Sequence, residues 1–482
     1  MKKFLLLFMV ALLALTGLAG CGEEPEQNGK VRLNVYASMD YRNVLKASPN
    51  DKQALLMKWI EETFEERNQD IDINFQNKGW GEELNSTLVR DLNLSGDLAP
   101  DVVFGEEYVR NFIERGSFAA LELGEELEQD LIDAVKDYVS KDGKIYAVPS
   151  HTGTYGLSIN MAALRNAGVL DSSNQVTQNF REALAETVGD PNYQQVDEIS
   201  AVDPLQPETW EDLLLICQYI KNYYAAQGDN RNGGMTMSNI KGDSQWKALA
   251  WMRTAGGDFA DASGAPALNS EANLKAFEMM RAFSRTAGSN GIAGTVDGTQ
   301  LMYSNFFNGR AAYIVEGAEL LARSYQYSSF NDADLATAEL PRYESDLTGK
   351  KGNALVGTVY YSINAKKSEN YAYSLRFIQF LLSEETQRQY YEMDRRIPVR
   401  KSILNDESLI SGENAEPRMA AFLEPLKSDE YQFSGGLTGF SNNAAQIWDE
   451  WTSFTSRLYG TTDLKTAADA AQEEMLKYFN RT

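Results

Sequence analysis

The first clear period along the chain is two. Apolar and polar residues alternate from Val31 to Ala37 and again from Asp70 to Phe75, as expected of strands whose successive side chains point to opposite faces. Between them the stretch "DKQALLMKWIEETFEERN" repeats its apolar positions at helical spacing. The run Asp101-Val102-Val103-Phe104 reads as a third, buried strand, preceded by the helical "EELNSTLVRDLNL" and followed by the helical "EEYVRNFIERG". Strand, helix and strand in this order predict a mostly parallel sheet covered by helices. Further on, Thr209 with Asp212 three residues later predicts a helix start, and Asn269 or Ser270 does the same before "EANLKAFEMMRAFSR". The first of these helices, "WEDLLLICQYIKNYY", is amphipathic and puts Cys217 into a core. A chain of 482 residues exceeds what one core organises, since single cores stop growing near ~250–300 residues.

The N-terminus follows another pattern. Lys2 and Lys3 precede an apolar run from Phe4 to Leu15, which closes on Gly17, Ala19 and Gly20 before Cys21. That is the layout of a secretory signal, and the run falls short of the ~20 apolar residues a spanning helix requires. From Gly22 to Lys30 the chain is too polar to pack a core and reads as a flexible tether. Removing the two lysines with the signal takes the net charge from −24 to −26, which makes nucleic acid and anionic bilayers poor partners. With two cysteines and one histidine, neither a disulfide framework nor a zinc cluster is expected. A calcium loop starting at Asp229 would place Arg231 where an oxygen ligand belongs, so "QGDNRNGG" reads as a turn, and no metal or cofactor is expected.

The tetrapeptide Leu18-Ala19-Gly20-Cys21 resembles the lipobox of bacterial lipoproteins, which implies that Cys21 is the lipidated first residue of the mature chain. A set of segments spread through the chain resembles the family 1 extracellular solute-binding proteins, the sugar receptors of bacterial ABC importers related to maltose-binding protein. These are "SGDLAPDVVFGEEYVRNFIERGSFAALE", "DGKIYAVPSHTGTYGLSIN", "PETWEDLL", "AWMRTAGGDF", "FFNGRAAYIVEGAEL", "GTVYYSINAKKSENYAYSLRFIQFLLSEETQ" and "RRIPVRKSIL". The resemblance implies an α/β, two-lobed periplasmic-binding-protein-like fold (type II) whose hinge strands cross between lobes. Residues 1–20 are then the signal and 21–29 the tether. Residues 30–149 with 357–402 form lobe one, and 150–356 with 403–482 form lobe two, with 171–205 as an insertion. It implies a monomeric, lipid-anchored receptor on the outer face of the bacterial membrane, which closes on a carbohydrate and passes it to permease subunits.

A sugar site needs hydrogen-bonding groups for hydroxyls and a flat apolar face for C–H groups. By family position the candidates are Trp80, Glu106, Glu107 and Tyr108 from lobe one, His151 and Tyr155 at the first hinge, Trp246 on a lobe-two loop and Tyr360 at the returning hinge. Two departures stand out. Relatives often carry a polar residue, Gly, Pro and a sugar-stacking Trp where this chain has Glu316, Gly317, Ala318 and Glu319, and Val359 stands where they often carry Trp, with Tyr360 beside it. Glu316 and Glu319 then imply a neutral or amine-bearing saccharide, unless one of them pairs with Arg395 or Arg396. Two other classes stay open. A receptor for a peptide or other small polar solute uses the same fold. A glycosidase needs two carboxylates, for which Glu106 with Glu107 or Glu316 with Glu319 are available but not ordered as acid and base. No Gly-x-Ser-x-Gly elbow supports a serine hydrolase using His151.

Overall fold

Local signals set the elements and long-range burial sorts them into two sheets. The computed structural model describes residues 29–106, 109–187, 201–239, 243–261, 263–289, 291–293, 295–296, 299–343, 351–355, 359–411, 415–428, 430–434 and 443–479. The signal, Cys21, nearly all of the tether, Glu107, Tyr108, part of the insertion and hinge residues 357–358 lie outside them. The first sheet contains β1 (Val31–Ala37), β2 (Ile71–Asn77), β3 (Val102–Gly105), β4 (Val148–Pro149) and the late β9 (Tyr360–Ile363). The second contains β5 (Tyr155–Asn160), β6 (Gly233–Met235), β7 (Ala311–Gly317) and β8 (Leu335–Ala338).

In the first sheet the order is β2-β1-β3-β9-β4. β1 runs parallel to β2 and β3, and β9 returns antiparallel between β3 and β4. The connecting helix Lys52–Arg67 begins where the Asp51 carboxylate accepts the Ala54 N–H at 2.9 Å, satisfying one of the donors that a helix start leaves unpaired. Its buried Ile60 and Phe64 pack with Val35 and Val102 of the sheet and with Phe377 and Phe380 from helix Tyr371–Leu381. Segments far apart in sequence thus share lobe one's core.

In the second sheet the order is β8-β5-β7-β6. β5 is antiparallel to β7 and β8, whereas β6 is parallel to β7. Thr209 and Asp212 close a capping box at the start of helix Trp210–Ala226, and Ser270 caps helix Glu271–Thr286 by accepting the Asn273 N–H. The Trp210 ring stacks on Trp251 at 3.7 Å, with Phe283 edge-on to both. Cys217 is fully buried against Gly234, where a Cβ would meet the Cys217 Cβ at 2.4 Å; β6 needs glycine there to let the helix approach. The described part of the insertion packs on this lobe: the Phe180 ring meets Tyr219 edge-on at 4.9 Å, and the Tyr313 hydroxyl donates to the Pro204 carbonyl at 2.8 Å.

Described residues of two other stretches lie beside the chain where it first passes between the sheets. Residues 150–154 lead from β4 to β5. Thr152 and Ile397 exchange both backbone hydrogen bonds, at 3.0 and 3.1 Å, while Ser150 N–H donates to Val359 and Thr154 bridges Leu355. Buried Gln387 fastens this crossing, donating to the Ser150 and Leu381 carbonyls at 2.6 and 2.9 Å and accepting the Val399 N–H at 2.8 Å. Helix Glu384–Asp394 ends on Arg395 in the left-handed region, φ 54. That turn, sparsely populated by residues other than glycine, brings Ile397 back beside Thr152 and Val399 beside Ile132.

Candidate functional site

Parallel strands end at a common edge, and α/β sheets bind ligands at such edges. Lys78 and Trp80 come beyond the carboxyl end of β2, and Glu106 beyond that of β3. Tyr36, near the end of β1, donates to Asp91, and the Lys78 ammonium lies 3.7 Å from Asp91 and 4.6 Å from the centre of the Tyr36 ring. Trp80 is 45% exposed with its ring edge-on to Phe104, one of four large apolar side chains exposed among the described residues. Glu106 accepts the Gly81 N–H at 2.7 Å. It therefore serves the start of helix Gly81–Asp91, where Trp80 at the cap position supplies no side-chain hydrogen bond. Burial raises the Glu106 pKa, and the Gly81 bond only partly opposes it.

The matching edge in the second sheet is built from the end of β7 and the start of β5, with helix Ser244–Thr254 against it. Glu316 is 3% exposed. One of its carboxylate oxygens lies 2.8 Å from the Lys247 ammonium, and the other accepts the Gly317 N–H at 3.0 Å. Lys247 also reaches Asp243 at 3.3 Å. Burial by itself lowers the Lys247 pKa, but Asp243 and Glu316 outweigh it and hold the ammonium charged, above the ordinary lysine range. Glu319 lies 3.7 Å from Arg396, which also pairs with Asp394 at 2.9 Å. A Cβ on Gly317 would meet the Glu319 carboxylate at 2.2 Å, so the missing side chain at Gly317 lets Glu319 fold over the strand end. Arg323 lies over the Tyr303 ring at 4.9 Å, and buried Tyr155 has the Lys247 ammonium 5.8 Å from its ring centre.

The structure thus gathers Tyr155, Glu316, Glu319 and Arg396 into one network and adds Asp243, Lys247, Tyr303, Arg323 and Asp394, which sequence reasoning missed. Of the two arginines considered as partners for a glutamate, Arg396 faces Glu319, while Glu316 takes Lys247 instead. Two sequence signals were available: Lys247 follows Asp243 by four residues, and Arg323 follows Glu319 by four, the spacing of neighbours on a helical face. The remaining candidates are placed differently. Trp246 lies in helix Ser244–Thr254 and not on a loop, and the ring packs against Trp448 at 4.8 Å. Tyr360 packs against Tyr138 at 5.5 Å. His151 lies in the hinge, its Nδ1 2.9 Å from the Ser150 hydroxyl and its ring 5.0 Å from Tyr390. No group of three or more His, Cys, Asp or Glu suited to a metal ion occurs among the described residues. The Asp229 loop is an Asx turn in which the carboxylate accepts the Arg231 N–H. No described helix is long and apolar enough to cross a membrane.

A two-lobed α/β protein with aromatic and charged groups at its strand edges has the architecture of a solute receptor. The chain belongs to the bacterial extracellular solute-binding protein family, whose model matches residues 59–417. It is similar to a galactooligosaccharide-binding protein of Bacillus subtilis, 26% identical over 216 residues that cover 43% of this chain and 45% of that one. The match therefore spans a little under half the length of that relative. Among solved structures it is similar to the GacH receptor of Streptomyces glaucescens, determined unliganded and with acarbose (TM-score 0.68, 19% identity, covering 94% of this chain and 99% of that one). It is equally similar in fold to UgpB of Mycobacterium tuberculosis in complex with glycerophosphocholine (TM-score 0.68, 18% identity, 94% and 99%).

Proposed function

We propose that this protein is the extracytoplasmic, lipid-anchored receptor of an ABC importer, which captures a carbohydrate, an oligosaccharide in the first instance, between its lobes and delivers it to membrane permease subunits. Two observations support this reading: an exposed aromatic face, Trp80, beyond the end of β2, and a dense hydrogen-bonding network around Glu316 and Glu319 at the end of β7; the reading sets the cleft between them. A saccharide needs both kinds of surface. The relative named for galactooligosaccharides and the receptor solved with acarbose support the ligand class. Cys21 anchors the mature protein through the tether, and residues 150–154 with the stretches beside them act as the hinge on which the lobes close.

Catalysis forms no part of this reading. Glu316 has both oxygens engaged by Lys247 and Gly317, and Glu106 is committed to Gly81. Neither is arranged as an acid and base about a glycosidic bond. A small polar solute of another kind remains the second reading, favoured by the fold shared with the glycerophosphocholine complex. The deciding experiment incubates the mature protein with a panel of neutral and acidic oligosaccharides and with glycerophosphodiesters, following melting temperature and the integrity of each compound. Stabilisation by an unaltered oligosaccharide is expected, amounting to about 2.7 kcal/mol at a hundredfold excess over Kd. Cleavage would make the protein an enzyme, and stabilisation by the diester alone would replace the ligand class.

A further inference from the structure

The lobe-two network leaves hydrogen-bonding capacity unused. Most of its charged atoms are paired: Lys247 with Glu316 and Asp243, and Arg396 with Asp394 and Glu319. Two atoms are not. Asp243 Oδ2 and Arg323 Nε are both shut off from solvent and have no hydrogen-bond partner, which costs roughly 1–3 kcal/mol for a polar group and more for a charged one. Contacts link their surroundings: Arg323 lies over the Tyr303 ring at 4.9 Å, while Asp243 reaches Lys247 at 3.3 Å and Lys247 reaches Glu316, at the strand end from which Glu319 and Arg323 follow, at 2.8 Å. The Tyr303 hydroxyl itself has no hydrogen bond to a described residue. Asp243 occupies the cap position of helix Ser244–Thr254 yet makes no capping hydrogen bond, so its free oxygen is not spent on the helix either.

Resting on the receptor reading above, we propose that Asp243, Tyr303 and Arg323 are the specificity-determining residues of lobe two, and that they hold one uncharged sugar ring through neighbouring hydroxyl groups. A hydroxyl both donates and accepts, so one can give its proton to the open Asp243 oxygen while the next accepts from Arg323 Nε, with the Tyr303 hydroxyl completing the set in either sense. The charge balance selects against an anion. Lys247 is already held by Glu316 and Asp243, and Arg396 by Asp394 and Glu319, so an added carboxylate would enter a buried site among carboxylates whose cations are already paired. A neutral ring fills the open positions without adding a charge to that buried site.

The proposal has a signature that ordinary structural residues lack. Because the Tyr303 hydroxyl supports no described neighbour, Tyr303→Phe should leave the unliganded protein as stable as the wild type while weakening ligand. Asp243→Asn keeps the shape but removes the charge that accepts best, and serves as a second probe should Arg323→Gln disturb folding. Calorimetric titration with maltotriose, a β-galactotriose and a trigalacturonate, together with thermal unfolding of each unliganded variant, reads the outcome. A neutral trisaccharide should bind the wild type, and Tyr303→Phe and Asp243→Asn should each lose about tenfold or more in affinity, with Tyr303→Phe unchanged in melting temperature. Unaltered affinity in both variants while the wild type binds a trisaccharide overturns this assignment and leaves the receptor reading standing. Preference for the trigalacturonate overturns the choice of a neutral ring. Failure of the wild type to bind any of the three removes the assignment together with the saccharide reading.

Discussion

The two lobes carry the same kinds of charged side chain and use them in opposite ways. In lobe one the ion pair Arg67–Glu385 is half exposed on both sides, 51% and 47%, with the two guanidinium nitrogens 2.6 and 2.9 Å from the carboxylate. It sits on the outside of the packed helices Lys52–Arg67 and Glu384–Asp394. In lobe two the pair Lys247–Glu316 is exposed by only 7% and 5% at a similar separation, 2.8 Å. Geometry therefore does not distinguish the two pairs; solvent does. In water an ion pair gains little, because both partners were already well solvated. In a buried site each charge depends on the other, and removing one strands its partner. The strand edges differ in the same sense: lobe one offers an exposed aromatic face, and lobe two a buried set of charges.

The sharpest way to break this contrast is to remove one buried partner. Lys247→Met should destabilise the unliganded protein by about 3–5 kcal/mol in urea unfolding, because Glu316 and Asp243 would face each other without a cation. Lys247→Met combined with Glu316→Leu should recover most of that loss, since a buried ion pair often gives no net stability over well-packed apolar groups. If the single variant costs no more than an exposed pair does, the distinction drawn between the lobes is wrong.

What the sequence made legible follows from the same distinction. The βαβ start of lobe one is written in local periods, and helix starts at Thr209 and Ser270 are written in the three-residue reach of a capping side chain. The hinge crossings join residues such as Ser150, Val359 and Ile397 that no local pattern connects, and they became expectations only through resemblance. Lys247 was hidden because its segment, "SQWKALAW", reads first as an aromatic helix face. The structure does use Trp251 that way, with Trp246 set against Trp448, while Lys247 points its charge to a strand from another part of the chain. Tyr303 carried no signal of its own, and Arg323 only its spacing of four from Glu319, because what marks them is an unmet hydrogen bond or a ring contact, a property of the folded site.

A smaller effect tests the aromatic side of the comparison. Trp80→Ala should weaken oligosaccharide binding about tenfold, roughly 1.4 kcal/mol, by removing the flat apolar face. It should alter the stability of the unliganded protein by about 0.5 kcal/mol or less, in keeping with its exposure. Calorimetric titration and urea unfolding of one preparation separate the two quantities. A stability loss with unchanged affinity would make Trp80 a packing residue of Phe104 and leave lobe one without its share of the site.

The smallest expected effect belongs to the exposed pair. Arg67→Ala should cost about 0.2–1 kcal/mol, and the cost should shrink as salt is raised from 0.01 to about 0.5 M because the screening length falls well below the spacing of surface charges. Its pH dependence has a definite sign. The hydrogen bond from Arg67 holds the Glu385 carboxyl below the usual glutamate range in the folded state. The folded protein therefore binds that proton less readily than the unfolded chain. The contribution is fully present above the unfolded-state pKa of ~4.3 and is lost as pH falls through the depressed value. Unfolding curves of wild type and Arg67→Ala should consequently differ at pH 6 and converge toward pH 3, whereas a difference that persists at pH 3 and in high salt would mean that Arg67 acts by packing its stem on Phe380, whose ring centre is 5.9 Å from the guanidinium carbon.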